Sequence, residues 1–391
     1  MEIAIIPCYT DTMKQIYLDN AATSFPKAPG LGKMVAEAID NSVNINRTES
    51  IRAQKEAEDL IDLREMIAAY YGSADPEAIA FTRNVTEALN WAIKGFLKKD
   101  DIVLVSSTEH NAVMRPLAEI GARIIRIPSD SRGYNIYDGF EIPKGTKAII
   151  ANAASNVTGA IQNLGPLGEI AEKNKLLFFI DTAQSKAELN DTGATGICFT
   201  GHKGLLGPMG TGGLILRKEA AFEIEPLIAG GTGSMSDLIS IPDVLPDRLS
   251  PGTENIPGLL GLRHALQYKI SNNECLEENE RIMTEKLYLG LECINGITIH
   301  GPGLNEDRTS VISISTGDID EADAAAALFD EYGIATRVGL HCAPEAHKAI
   351  STFPRGTLRF SPGPFTTADE IEITIQAMKE IMNGRLCRYS H

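Results

Sequence analysis

Three side chains able to do chemistry fall within RVGLHCAPEAHKAI, residues 337–350: His341, Cys342 and His347. The stretch alone allows three readings. Free cysteine is among the most often buried residue types; His, Cys and His are all metal ligands; and a thiol can serve as a nucleophile. A second reactive segment is CFTGHKGLLGPMGTGGL, where Lys203 stands ahead of five glycines in ten residues. A Walker phosphate loop would need its lysine after the glycines, so that motif is absent. A lysine so placed can form a Schiff base, with glycines letting the backbone approach a flat cofactor. Asp181 closes the apolar run LLFFID, where a carboxylate can hold a pyridinium nitrogen, and Gln184 three residues on can reach a ring oxygen. Thr86 in RNVTEALN opens a helix whose free N–H groups attract phosphate, although it could equally be no more than the N-cap. His110 in SSTEHNAV follows a strand end and can stack on a ring.

These residues need a frame that gathers them. IYLDNAATS reads as a short extended piece entering a turn, followed by helical periodicity in GKMVAEAIDNSV and AQKEAEDLIDLREMIAAYYG. Apolar runs then alternate with amphipathic stretches: AIAFTR, DIVLVSS, ARIIRIP, KAIIANAAS, LLFFIDTAQ, GICFTGH and GGLILRK are the runs. Near-continuous apolar strands between helices predict an α/β domain with a mainly parallel sheet, whose ligands sit at the carboxyl ends of the strands. The polar residues above fall there. Beyond SPGTENIPG the pattern changes to a long helical stretch, GLLGLRHALQYKISNNECLEENERIMTEKLYLGLECI, and then to SVISIST, ADAAAALFDEYG, the Cys342 segment, GTLRFSPG and a last helix. That predicts a large domain over 27–256 and a smaller α+β domain over 257–391, divided at the Gly/Pro-rich hinge from Pro251 to Gly258.

Composition narrows the function classes. The chain has 391 residues, 43% apolar and 23% charged, as in an ordinary soluble globular protein with about two domains. Its 36 basic against 52 acidic residues give a net charge of −16, which repels phosphate backbones, so nucleic acid is not expected as a partner. No apolar run approaches the ~18 residues of a membrane span, and the first residues lack a signal-peptide core. Cysteines at 8, 198, 275, 293, 342 and 387 show no CxxC pair, which reads as reduced thiols in a cytoplasm.

Together the polar residues supply every contact that pyridoxal phosphate needs, and here a resemblance becomes specific. LDNAATS, RNVTEALN, STEHNAV, SNVTGAIQ, DTAQS, TGHKGLLGP, GLHCAPEAHK and GTLRFSPGPFTT, in this order, resemble the class V aminotransferase group. They look most like its cysteine desulfurase and selenocysteine lyase branch, over nearly the whole chain from about residue 16. The resemblance implies the fold type I of pyridoxal-phosphate-dependent transferases, with an N-terminal segment (1–26) packing on the small domain. It makes Lys203 the Schiff-base lysine, Asp181 the partner of the pyridine nitrogen, and His110 the stacking and acid–base residue. Asn156 and Gln184 would lie near the phenolic oxygen and the substrate. Thr86, Thr200 and His202 would hold the phosphate, and Thr253 would reach the phosphate of the other subunit of a homodimer. Arg359 would take the substrate carboxylate with its planar fork, and Cys342 would be the thiolate that takes sulfur.

By the same resemblance L-cysteine, or L-selenocysteine, displaces Lys203, whose freed amine removes the Cα proton. Cys342 then attacks the substrate sulfur, leaving a persulfide and alanine. The thiolate needs a partly exposed, electropositive setting, which His341 or Arg359 would supply. Ala343-Pro344 predicts a short, stiff loop suited to persulfide transfer to a docking protein acceptor. Two segments depart from the pattern: NINRTES lacks the His-Arg-Gly or Gly-Arg-Gly of many relatives, and residues 1–15 have no counterpart, with Met13 an alternative initiator. The nearest rival reading is a selenocysteine lyase with the same fold and residues; others are a C–S lyase or epimerase on this scaffold, or a non-enzymatic zinc-binding or sulfur-carrier protein built on His341, Cys342 and His347.

Overall fold

The structure, a computed structural model, describes residues 15–45 and 50–385. The leader with Cys8 and Met13, most of the NINRTES segment and Cys387 lie outside the described residues. The first strand, β1 (Ile16–Tyr17), is followed by the helices Leu31–Asn41 and Ile51–Tyr70. Seven strands then build the central sheet: β2 (Ile79–Thr82), β3 (Ile102–Ser106), β4 (Arg123–Ile127), β5 (Thr146–Asn152), β6 (Leu177–Asp181), β7 (Gly196–Thr200) and β8 (Gly212–Leu216). Their order is β2-β8-β7-β6-β5-β3-β4, and β8 runs antiparallel to both its neighbours while β3 to β7 run parallel.

The central strands are apolar throughout because helices cover both faces. On one face Leu104, Ile149, Phe178 and Phe199 meet Leu63 and Ile67 of the helix Ile51–Tyr70. On the other, Val103, Val105, Ile150 and Phe179 meet Leu89 and Ile93 of the helix Val85–Phe96 and Val113 of the helix Asn111–Ile120. The alternation within β3 is the period-two pleat sending successive side chains to opposite cores.

A second sheet, antiparallel, follows the order β12-β13-β10-β9, with β9 (Thr298–His300), β10 (Ile312–Ser315), β12 (Arg337–Gly339) and β13 (Thr357–Phe360). Beside it β11 (Ile334–Ala335) pairs in parallel with β1, so Ile16 and Leu18 enter the core formed by Ile312, Leu358 and Phe360. The long helical stretch predicted after Gly258 is in fact two helices, Ile256–Ser271 and Asn273–Glu292, broken at Asn272. The Asn272 amide donates to the Tyr268 carbonyl, and such short polar side chains compete with the helical ladder. Leu259, Leu262 and Leu266 of the first of these helices pack in the same core as Leu63 and Phe199. We therefore propose that the small part begins at Asn272, with β1 docked on it.

Candidate functional site

Four parallel strands end side by side, and the residues just past each end are the reactive ones. Ser106 ends β3 ahead of Glu109 and His110, Asn152 ends β5 ahead of Asn156, Asp181 ends β6, and Thr200 ends β7 ahead of His202 and Lys203. A cavity of about 280 Å³ opens there and is lined by Thr86, His110, Asn156, Asp181, Gln184, His202 and Lys203. Sequence separations of up to about a hundred residues are closed by the topology alone.

Lys203 and Asp181 both line this cavity. Burial lowers the lysine from its ordinary value to about 8, against the pull of the Asp181 charge and with the help of Arg359 and Arg337. Burial also raises Asp181, whose Oδ1 accepts from the Ala183 N–H at 2.8 Å. His110 caps the helix Asn111–Ile120: its Nδ1 accepts from the Ala112 N–H at 3.0 Å, which leaves the proton of the neutral ring on Nε2. Burial, and next the Lys203 charge, hold His110 down at about 4, so it is uncharged at neutral pH.

Thr86 is the second residue of the helix Val85–Phe96; the cap itself is Asn84, whose Oδ1 accepts from the Glu87 N–H at 3.0 Å. This leaves the Thr86 hydroxyl at a free helix N-terminus on the cavity wall. The start of β8 closes in behind it: a Cβ on Gly212 would fall 2.9 Å from the Asn84 backbone, so only glycine fits. The Thr200 hydroxyl is buried without a partner among the described residues, and Thr200 lines a small adjoining pocket rather than the cavity itself. Thr253 stands on an exposed loop, apart from the cavity lining.

The segment after β1 straps the lysine loop. His202 Nδ1 meets Thr23 Oγ1 at 3.0 Å, the Ser24 N–H donates to the His202 carbonyl at 3.0 Å, and Lys27 Nζ donates to the same carbonyl at 2.7 Å. Gln184 Nε2 donates to the Ala21 carbonyl at 3.0 Å. His202 is held at about 4 by burial and the neighbouring lysines, so it too is neutral.

Arg359 is not a surface arginine. It is 1% exposed, donates from Nη2 to Asp19 Oδ1 at 2.6 Å and from Nη1 to the Asn156 carbonyl at 3.0 Å, and its Nε has no partner among the described residues. Asn156 in turn donates from Nδ2 to the His341 carbonyl at 2.8 Å. The Asn111 N–H donates to the Cys342 carbonyl at 2.8 Å. His341 and Cys342 both hold left-handed backbone, with φ of 48° and 57°, a strain that persists only where surroundings over-determine it. Those two carbonyl contacts do so, tying the exposed Cys342 beside His110 and Asn156. The turn is short and pinned, as Ala343-Pro344 implies.

The source of positive charge at Cys342 differs from the sequence expectation. Burial pushes His341 down to about 2, and its Nε2 meets Thr357 Oγ1 at 3.0 Å, so it carries no charge. Arg359 is spent on Asp19. The cation at the thiol is Arg337 of β12, whose Nη2 approaches Cys342 Sγ at 3.6 Å. Nothing in its local sequence marks Arg337; it arrives through β12–β13 pairing, opposite Arg359. Glu109 was also missed. It is fully buried, accepts from the Asn152 N–H at 2.6 Å, leaves Oε2 unpartnered, and is raised well above the carboxylate range by burial and then by Asp181. Its place directly before His110 at a strand end was the only sequence signal.

The metal reading gains no support from the geometry. His347 Nδ1 meets Thr352 Oγ1 at 2.7 Å, the His341 and His347 rings lie 5.4 Å apart, and among the described residues no three His, Cys, Asp or Glu side chains group as metal ligands.

The family model for aminotransferase class-V matches residues 16–373. The chain belongs to that family. It is 30% identical over 384 residues to a probable cysteine desulfurase of Methanothermobacter thermautotrophicus, covering 94% of each chain. It is also similar to the solved apo structure of a cysteine desulfurase from Thermococcus onnurineus, with TM-score 0.85 and 27% identity over 95% of each chain. The cysteine desulfurase CsdA (S-sulfonic acid) from Escherichia coli matches with TM-score 0.82 and 25% identity, covering 94% of this chain and 95% of that one. Members of the family depend on pyridoxal 5'-phosphate, and the architecture is the fold type I of such enzymes. The residues present fit that cofactor. Lys203, Asp181 and neutral His110 line the cavity together, and the helix N-terminus at Thr86 suits a phosphate.

Proposed function

We propose that the chain is a pyridoxal-phosphate-dependent cysteine desulfurase that converts L-cysteine to L-alanine and takes the sulfur onto Cys342 as a persulfide. The observation that carries this reading is the pinned, strained turn that bears the exposed Cys342, its backbone tied to Asn111, next to His110, and to Asn156 of the Lys203 cavity lining. A C–S lyase or epimerase would have no use for it.

When bound, pyridoxal phosphate supplies an electron sink for charge developing at the substrate Cα. Lys203 would hold it covalently and Asp181 would face its ring nitrogen. Thr86, His202 and Thr200 would hold the phosphate, together with Thr253 from the second subunit of a homodimer. The chain's own residues do the rest. Arg359 offers its remaining donor to the substrate carboxylate, with Asn156 and Gln184 alongside. Lys203 Nζ, brought to about 8 by burial, is basic enough to accept the Cα proton and is neutral in a useful fraction near pH 7. His110, neutral with its proton on Nε2, can pass that proton at the substrate. The Cys342 thiolate attacks the substrate sulfur: an S–S bond forms, the C–S bond breaks, and its electron pair stays on Cβ. That carbon takes a proton to become the methyl group of alanine.

Because Cys342 is exposed on a short anchored turn, a protein acceptor collects the persulfide by docking. Cys198, Cys275, Cys293 and Cys342 are free thiols, which supports a reducing compartment, the cytoplasm. Among the described residues no helix is long and apolar enough to cross a membrane.

The test is to incubate the holoenzyme with L-cysteine, measure alanine, and look for an added 32 mass units (roughly one sulfur atom) on the Cys342 peptide, with Cys342→Ala alongside. Alanine release that Cys342→Ala leaves unchanged overturns the proposal. Loss with cysteine but retention with selenocysteine supports it, because a selenol leaves without a thiolate's attack.

A further inference from the structure

We propose that Arg337 is the residue that holds the Cys342 sulfur through the transfer, donating first to the attacking sulfur and then to the terminal sulfur of the persulfide. This rests on the functional reading above. Three observations carry it. The Arg337 Nη2 lies 3.6 Å from Cys342 Sγ, and this is the one hydrogen bond its guanidinium makes among the described residues. The other charged or ionisable groups nearest the thiol are otherwise engaged or neutral: Arg359 is bound to Asp19, His341 sits on Thr357, and His110 caps its own helix. Finally, Arg337 and Arg359 are register partners on β12 and β13, so the sheet presents two guanidiniums side by side, and the Asp19 carboxylate pairs with Arg359. Arg359 takes that carboxylate. Arg337 is left as a cation whose counter-ion is the sulfur.

The chemistry gives this cation work at both ends of the transfer. Before attack, a positive charge beside the thiol favours the thiolate, the nucleophilic form. After attack, the Cys342 sulfur is bonded to the former substrate sulfur, and the negative charge sits on that outer atom. No charge is created or lost: one thiolate and neutral-side-chain cysteine become one persulfide anion and alanine, the thiol proton of the substrate ending in the methyl group. A planar guanidinium with several donors can follow the charge from the inner sulfur to the outer one, while a point ammonium serves one position at a time.

The experiment compares Arg337→Met and Arg337→Lys holoenzymes with the unaltered protein. The first readout is the rate of Cys342 alkylation by iodoacetamide without substrate, followed by peptide mass spectrometry across pH. Arg337→Met is expected to slow it about five- to tenfold at pH 7, with Arg337→Lys recovering most of the rate. The second readout is the persulfide remaining on Cys342 after a single turnover with cysteine, expected to decay several-fold faster in Arg337→Met and to be only partly restored by lysine. Cofactor absorbance and circular dichroism establish that each variant is folded and loaded. Alkylation profiles that coincide for Arg337→Met and the unaltered protein overturn the proposal, as does a lysine variant as slow as methionine. The alkylation arm needs no turnover, so it reads Arg337 even if Cys342→Ala shows the protein not to be a desulfurase.

Discussion

Asp19→Asn should loosen the N-terminal strand from the small sheet, and the structure sets how far. Arg359 is 1% exposed and Asp19, 2.6 Å away, is 18% exposed. Asparagine keeps the shape and one acceptor but removes the carboxylate that pairs with that guanidinium among the described residues, while the Asn156 carbonyl at 3.0 Å stays. Leaving a fully buried charge unpaired costs about 3–5 kcal/mol. Part of Asp19 is wet, so roughly 2–3 kcal/mol is the expectation here, since solvent already screens the pair. The strand it anchors is short: β1 is held by the Ile16 N–H to the Gly333 carbonyl at 3.0 Å, the Leu18 N–H to the Ala335 carbonyl at 2.9 Å, and the burial of Ile16 and Leu18. Local opening of the 16–18 segment should therefore become about 30- to 150-fold easier, one tenfold step per 1.36 kcal/mol. Hydrogen exchange of the Ile16 and Leu18 amides, read by mass spectrometry on a peptide covering 15–24, measures this directly. The double variant Asp19→Asn with Arg359→Met removes the orphaned charge and should restore much of the protection. A change below threefold in the single variant, or a double variant no better than the single, would refute the reasoning.

Other outcomes follow from the same geometry. In the cofactor-free protein, uptake of pyridoxal phosphate needs the uncharged Lys203 amine. With that amine at about 8 instead of its ordinary 10.5, uptake followed by absorbance should rise roughly tenfold per pH unit below 8 and level off above it. The stability sign agrees: burial of the ammonium destabilises the cofactor-free fold below pH 8, and the penalty is relieved as pH climbs from there toward 10.5. A plateau reached only near 10.5 would place the amine in water. Arg359→Lys keeps the charge but loses the fork that joins Asp19 and Asn156, so kcat/KM for cysteine should fall about 10- to 150-fold with cofactor binding little changed; an unchanged kcat/KM moves the carboxylate site elsewhere. Thr253→Ala should weaken cofactor retention in a dimer, and full activity of a dilute monomer in sedimentation would remove Thr253 from the site.

Residues that lie at the end of their own strand were legible, because a strand announces itself locally and its end fixes where the next side chain goes. The places of Asp181 after LLFFI, Lys203 after GICFTGH and His110 after DIVLVSS needed only that inference, while the roles expected of them came from the family resemblance. The contacts that turn them into a site were not legible, since they join parts of the chain far apart. Asp19 meets Arg359 and Asn20 meets Ser361 across some 340 residues, and Asn156 meets His341 across 185. No local pattern encodes such a pairing; it follows from β1 docking in parallel beside β11 and from β12 lying against β13. Arg337 shows the consequence. As a lone arginine before Val338 it reads as a solvated edge residue, and the histidine adjoining Cys342 looks the better activator. Packing reverses that ranking, because the histidine nearest in sequence is buried to neutrality while an arginine five positions away keeps its charge and reaches the sulfur. Nearness along the chain favours a residue at a reactive group only when that residue can also stay charged there, and it is burial, set by the whole fold, that decides this.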